Sequence, residues 1–158
     1  MSWNDLTERY QNYFINILHI TAAMSKDNDT HVGAILINTE KKVVISSGWN
    51  CLPKGVLHTY DRHSRPIKYD YTIHAEQNCI LNALRLGVSV EGCTMLTTLG
   101  CCTSCSCSVV NSGIGELVTP NLDFDHISCG KKYKDSIAIV SEGGVKWIYD
   151  DRLAYANN

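Results

Sequence analysis

The sequence predicts one α/β domain, a three-layer α/β/α sandwich around a mixed sheet of roughly five strands. Three observations predict it. The chain has 158 residues, a length that suits a single domain with its own core, so 1–158 is expected to be one unit. An amphipathic helical pattern is followed by two β-rich runs joined by a hairpin signal. From there helical and strand patterns alternate to the end of the chain.

The elements follow in order. Leu6, Tyr10, Tyr13, Phe14, Ile17 and Leu18 recur at helical spacing and predict a first helix. Residues 32–38 and 42–47 are rich in β-branched and apolar side chains, and Asn38-Thr39-Glu40-Lys41 between them reads as a turn. A Gly- and Pro-marked loop runs from Trp49 to about Ile73. Residues 75–86 predict a helix stopped by Gly87. Residues 93–98 suit a buried strand, 103–112 a short helix ended by Gly113, and 115–119 another strand. Residues 131–141 predict a last helix, Gly143-Gly144 a turn and 145–149 a final strand.

Composition narrows the class. The chain is 44% hydrophobic and 19% charged, with a net charge of −2, so the basic surplus of a protein that grips long nucleic acid is missing. A small substrate is expected, and no polynucleotide. No apolar run approaches the roughly 20 residues that cross a bilayer, so no membrane partner is expected. The opening MSWNDLTERYQNYF lacks the basic start and apolar core of a secretory signal, which predicts a cytoplasmic protein. Eight cysteines would suggest disulfides in a secreted mini-protein. Four of them crowd into Cys101, Cys102, Cys105 and Cys107, and in a reducing compartment that clustering points to metal binding or redox chemistry.

The chemistry concentrates in His74-Ala75-Glu76 and in Cys102-Thr103-Ser104-Cys105. Each group falls where a helix should begin, at the end that carries unpaired N–H groups and partial positive charge. That environment favours the thiolate that zinc ligation requires. His74, Cys102 and Cys105 would supply three ligands and leave a fourth position open, the mark of a catalytic zinc (Zn2+) rather than a structural one. Glu76, two residues from His74, would reach the same pocket and move protons. Singly these features are ordinary. C-x-x-C is common, a lone His at a helix start is more often a cap, and Glu in a first turn usually complements the helix dipole. Their order and shared placement at two helix starts carry the reading. Among the clustered cysteines only Cys102 and Cys105 have C-x-x-C spacing.

With H-x-E and C-x-x-C in place, the chain resembles the deoxycytidylate (dCMP) deaminase family of the cytidine deaminase-like fold, from about Ser25 to about Tyr149. KYDYTIHAEQNCILNALRLGVSVEGCTMLTT looks like that family's catalytic helix and following strand, and CCTSCSCSVVNSGIGELV like its second metal-binding helix. SKDNDTHVGAILI and SSGWNCLPKGV resemble its first strand and its G-[YW]-N-x-x-P-x-G loop. The resemblance implies zinc-dependent hydrolysis of dCMP to dUMP and ammonia, feeding thymidylate synthesis. It also implies a homo-oligomer, commonly a hexamer, and dCTP and dTTP as effectors. Asn50 matches the loop asparagine that faces the sugar. Lys26 matches the lead-in to the first strand and is a phosphate candidate, as is Arg65 within the cluster Lys54, His58, Arg62, His63, Arg65 and Lys68.

The chain departs from the family pattern in three places. Gly100-Cys101 stands where an aromatic-Pro pair is usual, which should soften the ligand geometry and enlarge the pocket. Cys101 beside the ligands could compete for the metal. Cys51 replaces a common loop glycine, and with His58 or His63 it could help hold a second zinc, although a free buried thiol is the simpler reading. Cys79 and Cys93 sit on apolar faces and should pack as small hydrophobes. Two further readings stay open. One is a related zinc deaminase acting on a nucleoside, a free base or a transfer-RNA adenosine. The other is a non-catalytic zinc or redox module.

Overall fold

A computed structural model describes residues 1–125 and 130–156. A 3-10 turn, Trp3–Asp5, leads into helix α1, Glu8–Ala22. Strands β1, Gly33–Asn38, and β2, Val43–Trp49, form a hairpin. The following loop is more structured than its composition suggests. It carries a 3-10 turn, Asp61–His63, and a one-turn helix, α2, Lys68–Tyr71. Helix α3 spans Ala75–Arg85, strand β3 Thr94–Thr97, helix α4 Thr103–Asn111 and strand β4 Glu116–Thr119. After a 3-10 turn at Gly130–Lys132 come helix α5, Tyr133–Glu142, and strand β5, Lys146–Tyr149.

The five strands lie in the order β2-β1-β3-β4-β5. β1 is antiparallel to both β2 and β3, whereas β3, β4 and β5 are parallel, so the sheet is mixed as predicted. Alternation along each strand feeds two cores. Ala34, Leu36, Met95 and Leu117 face α3, α4 and α5, with Ala75, Cys79, Cys105, Val109 and Val140. Ile35, Ile37, Leu96, Val118 and Ile148 face α1, with Phe14, Ile15, Leu18, Trp3 and Leu153. The three-layer α/β/α sandwich expected from the sequence is therefore the architecture observed.

The terminators act as read. Gly87 takes φ +67°, Gly87 N–H donates to Leu84 O and Val88 N–H to Ala83 O, a Schellman closure of α3. The first helix differs in one respect. Its buried stripe is Phe14, Ile15, Leu18, Thr21 and Ala22, and Tyr13 is 52% exposed. Tyr13 lies about 140° around the helix from Leu18, off the buried face. Among the described residues no helix is long and apolar enough to cross a membrane.

β2 and α3 make a close backbone approach. A Cβ on Gly48 would lie 2.3 Å from Cys79 N and 2.8 Å from Ala75 O. The Ser46 hydroxyl donates to Cys79 O at 2.8 Å, and Asn82 and Asn78 donate to Ser47 O and Trp49 O. Only a strand without a side chain at position 48 lets the helix settle this low, which fixes the height of its first turn against the sheet.

Candidate active site

The carboxyl ends of β2 and β3, the amino end of β1 and the amino ends of α3 and α4 meet at one edge of the sheet. α/β folds commonly place ligands at such an edge. His74 is the N-cap of α3, with φ −68° and ψ 153°, and Cys102 is the N-cap of α4, with φ −78° and ψ 169°. Both have extended backbone just before the helix. Their carbonyls accept the first helical bonds, from Asn78 N–H at 2.9 Å and Ser106 N–H at 2.8 Å. Cys105 is the third residue inside α4. An N-cap side chain and the third helical side chain overhang the same helix end, which is why C-x-x-C at a helix start brings two sulfurs together.

His74 Nδ1 lies 3.4 Å from Cys102 Sγ and 3.3 Å from Cys105 Sγ. The ligand atoms of the three residues all fall within 4.8 Å of one another, the one such group of three or more among the described residues. Zn–N near 2.0 Å and Zn–S near 2.3 Å in a tetrahedron would set nitrogen and sulfur roughly 3.5 Å apart, so the spacing and donor set fit zinc. His74 is the exposed member, Cys102 is half-buried and Cys105 is buried.

Hydrogen bonds and nearby charges within the group set its proton affinities. His74 is pushed up to about 9, first by its hydrogen bond with Cys102 and also by the charges of Glu76 and Cys102, against the opposing effect of burial. Cys102 is pulled down to about 4, first by its hydrogen bond with Cys105 and then by His74. The Cys105 thiol is pushed up by hydrogen bonds with Cys101 and Cys102 and by burial. Metal ligation requires the sulfurs as thiolates and the imidazole neutral, so binding would displace protons. Glu76 is 4% exposed, and burial raises its carboxyl above the ordinary range.

These groups open onto a cavity of about 480 Å³. Asn50 and Arg65 line it, as do His74, Glu76 and Cys102. Lys26 is exposed and does not line it. Asn50 is 7% exposed, and its amide is already engaged: Oδ1 accepts from Val32 N–H at 2.9 Å and Nδ2 donates to Thr30 O at 2.8 Å. It thus fixes the strand lead-in at the cavity wall and leaves one lone pair and one hydrogen of its amide outside these two bonds. Lys68 is no free loop cation. Its ammonium is buried 2.7 Å from Asp27 Oδ1 and 3.1 Å from Asp29 Oδ2.

The departures noted in the sequence resolve physically. Position 101 precedes the N-cap, so the first turn of α4 does not depend on a proline there. The space beside Gly100 is taken by Tyr133, brought in from the start of α5. A Cβ on Gly100 would lie 2.5 Å from the Tyr133 ring, and the Tyr133 hydroxyl donates to Gly100 O at 3.4 Å. Tyr133 therefore occupies the space into which a side chain at position 100 would point. Cys101 is fully buried. Cys51 does not join His58 and His63: its sulfur accepts from Asn78 Nδ2 at 3.4 Å, while the two imidazoles stack with ring nitrogens 2.9 Å apart. Cys79 and Cys93 are buried in the core, as expected.

Sequence reasoning did not single out Gln77, Asp27, Lys132 or Tyr133. Gln77 Nε2 donates to Ser104 Oγ at 3.1 Å and Ser108 Oγ at 3.4 Å, tying α3 to α4 next to the candidate ligands. A glutamine one residue after Glu76 on a half-exposed face carries no pattern that could announce this.

Residues 8–120 match the family model described as the cytidine and deoxycytidylate deaminase zinc-binding region. An uncharacterized deaminase in the luxG 3′ region of Aliivibrio fischeri is 32% identical over 151 residues, 94% of this chain and 99% of that one. Deoxycytidylate deaminase of Mus musculus is 35% identical over 112 residues, 67% of this chain and 61% of the mouse protein. The match thus spans about three-fifths of the mouse relative's length. The fold is that of dCMP deaminase from the cyanophage S-TIM5, solved in complex with dCMP and dUMP. The TM-score is 0.73 and the identity 19%, covering 92% of this chain and 99% of that one.

Proposed function

The chain belongs to the cytidine and deoxycytidylate deaminase zinc-binding family, and from that premise we propose that it hydrolyses dCMP to dUMP and ammonia. The observation that carries this reading is the convergence of His74, Cys102 and Cys105 beside the buried Glu76 at a cavity of about 480 Å³. The imidazole and the two sulfurs would hold zinc, which when bound would supply Lewis acidity and lower a water molecule's pKa to near 7.

The protein's own residues do the rest. Glu76 accepts a proton from the attacking water and delivers it to N3 of the cytosine as C4 becomes tetrahedral. Glu76 then takes the proton of the new C4 hydroxyl and delivers it to the exocyclic nitrogen; C4=O forms as the C4–N bond breaks, ammonia leaves, and Glu76 ends in its starting state. Burial suits it to this task, because it raises the carboxyl above its ordinary range and so favours holding a proton between the two transfers. The Asn50 amide faces the sugar, held by Val32 and Thr30. Arg65 lines the cavity, held by Asp29, Tyr69 and Thr30, and Lys26 lies outside it. The cyanophage protein whose fold this chain shares was solved with dCMP and dUMP, which supports the nucleotide reading. Homo-oligomeric assembly, response to dCTP and dTTP and a cytoplasmic role in dUMP supply belong to the same proposal.

Ammonia release from zinc-loaded protein, measured side by side on dCMP, CMP, deoxycytidine and guanine, tests it. Preference for dCMP is the expected result. Activity confined to deoxycytidine or guanine would keep the deaminase chemistry and overturn the substrate. Light scattering, with and without dCTP, tests the assembly.

A further inference from the structure

The cavity wall holds three Arg and Lys side chains, Arg65, Lys68 and Lys132, and they differ in how they are compensated. Lys68 sits in a buried ion pair with Asp27 and Asp29. Arg65 is held 3.5 Å from Asp29 Oδ1, donates from Nε to the Tyr69 hydroxyl at 2.9 Å and from Nη2 to Thr30 Oγ1 at 3.3 Å. Two cations thus face two carboxylates, and that wall carries no net charge with which to attract a phosphate dianion. Lys132 has no ion pair and no side-chain hydrogen bond among the described residues, and it is exposed at the cavity.

Its position is not left to a mobile side of the chain. The next residue, Tyr133, is fully buried. Its ring fills the space over Gly100, its hydroxyl reaches Gly100 O, and it forms a T-shaped pair with Phe124, ring centroids 6.0 Å apart. The anchor pins the backbone of Lys132 beside the loop that leads to Cys102, while the ammonium remains in solvent. A phosphomonoester entering the cavity would meet one uncompensated positive charge, and Lys132 supplies it.

Resting on the nucleotide reading above, we propose that Lys132 is the specificity-determining residue that recognises the 5′-phosphate of a nucleoside monophosphate. Arg65 and Lys68 chiefly hold the Asp27–Thr30 wall in shape. Losing one charge-assisted contact should raise KM roughly 10- to 100-fold.

The test is steady-state kinetics of the zinc-loaded protein on dCMP and deoxycytidine, for wild type, Lys132→Gln and Lys132→Arg, with deoxyribose 5-phosphate as a competitor. The expected result is a KM for dCMP that rises in Lys132→Gln with kcat held, an unchanged KM for deoxycytidine and rescue by Lys132→Arg. Deoxyribose 5-phosphate should inhibit deoxycytidine turnover in wild type and lose that effect in Lys132→Gln. A wild type that prefers dCMP together with a Lys132→Gln variant that keeps the preference overturns the Lys132 assignment alone. A wild type indifferent to the phosphate overturns the nucleotide reading and the assignment with it. Equal rises in KM for both substrates would show a structural effect and also overturn it.

Discussion

Gly48→Ala is the sharpest perturbation the structure offers, because it adds one carbon where two backbones touch. The new Cβ would lie 2.3 Å from Cys79 N, 2.8 Å from Cys79 Cα and 2.8 Å from Ala75 O. None of these atoms can rotate away, and ordinary contact needs about 3.5 Å, so α3 must rise from β2 by about 1 Å. Overpacking of this kind costs typically about 1–3 kcal/mol, and a backbone clash belongs at the upper end. Ala75 lies between His74 and Glu76, so the shift reaches the proposed ligand and the proposed proton carrier together. A misplacement of about 1 Å can cost about 100-fold in turnover. Urea denaturation and kcat on dCMP measure the two effects. Gly115→Ala is the control, since its Cβ would meet Gly92 at 3.5 Å, an ordinary distance, and should fall within about 0.5 kcal/mol of wild type. Wild-type stability and full turnover in Gly48→Ala would refute the claim that this contact sets the height of α3.

Glu76→Gln should lower kcat by about 100-fold or more while zinc content and circular dichroism stay unchanged. Full activity in that variant would remove Glu76 from the mechanism and favour a non-catalytic metal module. Tyr133→Ala should destabilise by about 3–5 kcal/mol, because it empties a fully buried site under Gly100, whereas Tyr133→Phe keeps the packing and should lose far less; thermal denaturation separates the two. Stability should also fall on acidification. The Lys68 ammonium, through its hydrogen bond, holds the Asp29 carboxyl below its usual value. At Glu116 and Asp150 burial pushes upward but is outweighed by hydrogen bonds, from Ser2, Trp3 and Thr94 at the first and from Arg152 and Trp3 at the second. Depressed folded values contribute stability above the unfolded range near pH 4 and lose it as pH falls through them. Urea midpoints from pH 6 to pH 3 should therefore drop mainly below about pH 4, and Asp150→Asn should flatten the slope.

Much of this was readable from local patterns. His74-x-Glu76 and Cys102-x-x-Cys105 are legible because each is a helix start, where spacing alone decides which side chains share an end. The strands and their terminating glycines are legible because burial periodicity and the left-handed turn leave residue-level marks. Long-range compensation is not legible. Nothing near Gly100 tells that Tyr133, 33 residues later, fills the space beside it. Nothing near Lys68 tells that Asp27 and Asp29, about 40 residues earlier, consume its charge. The loop cations looked alike as a cluster, and only tertiary pairing separates the compensated from the free. Lys26 looked suitable by its place in the lead-in, yet its side chain stands outside the cavity while its neighbour Asp27 lines it.

The sheet's two faces have a practical consequence for anyone wishing to harden this protein. The face covered by α1 holds Trp3, Phe14, Leu18, Ile35, Ile37 and Leu153 and contributes no side chain to the cavity. Repacking there changes the durability of the scaffold without disturbing the geometry of the reactive edge. The usual penalty of engineering for heat resistance, a rigidified and slower catalyst, arises when both share one core. Here shelf life and turnover can be adjusted on opposite sides of a single sheet.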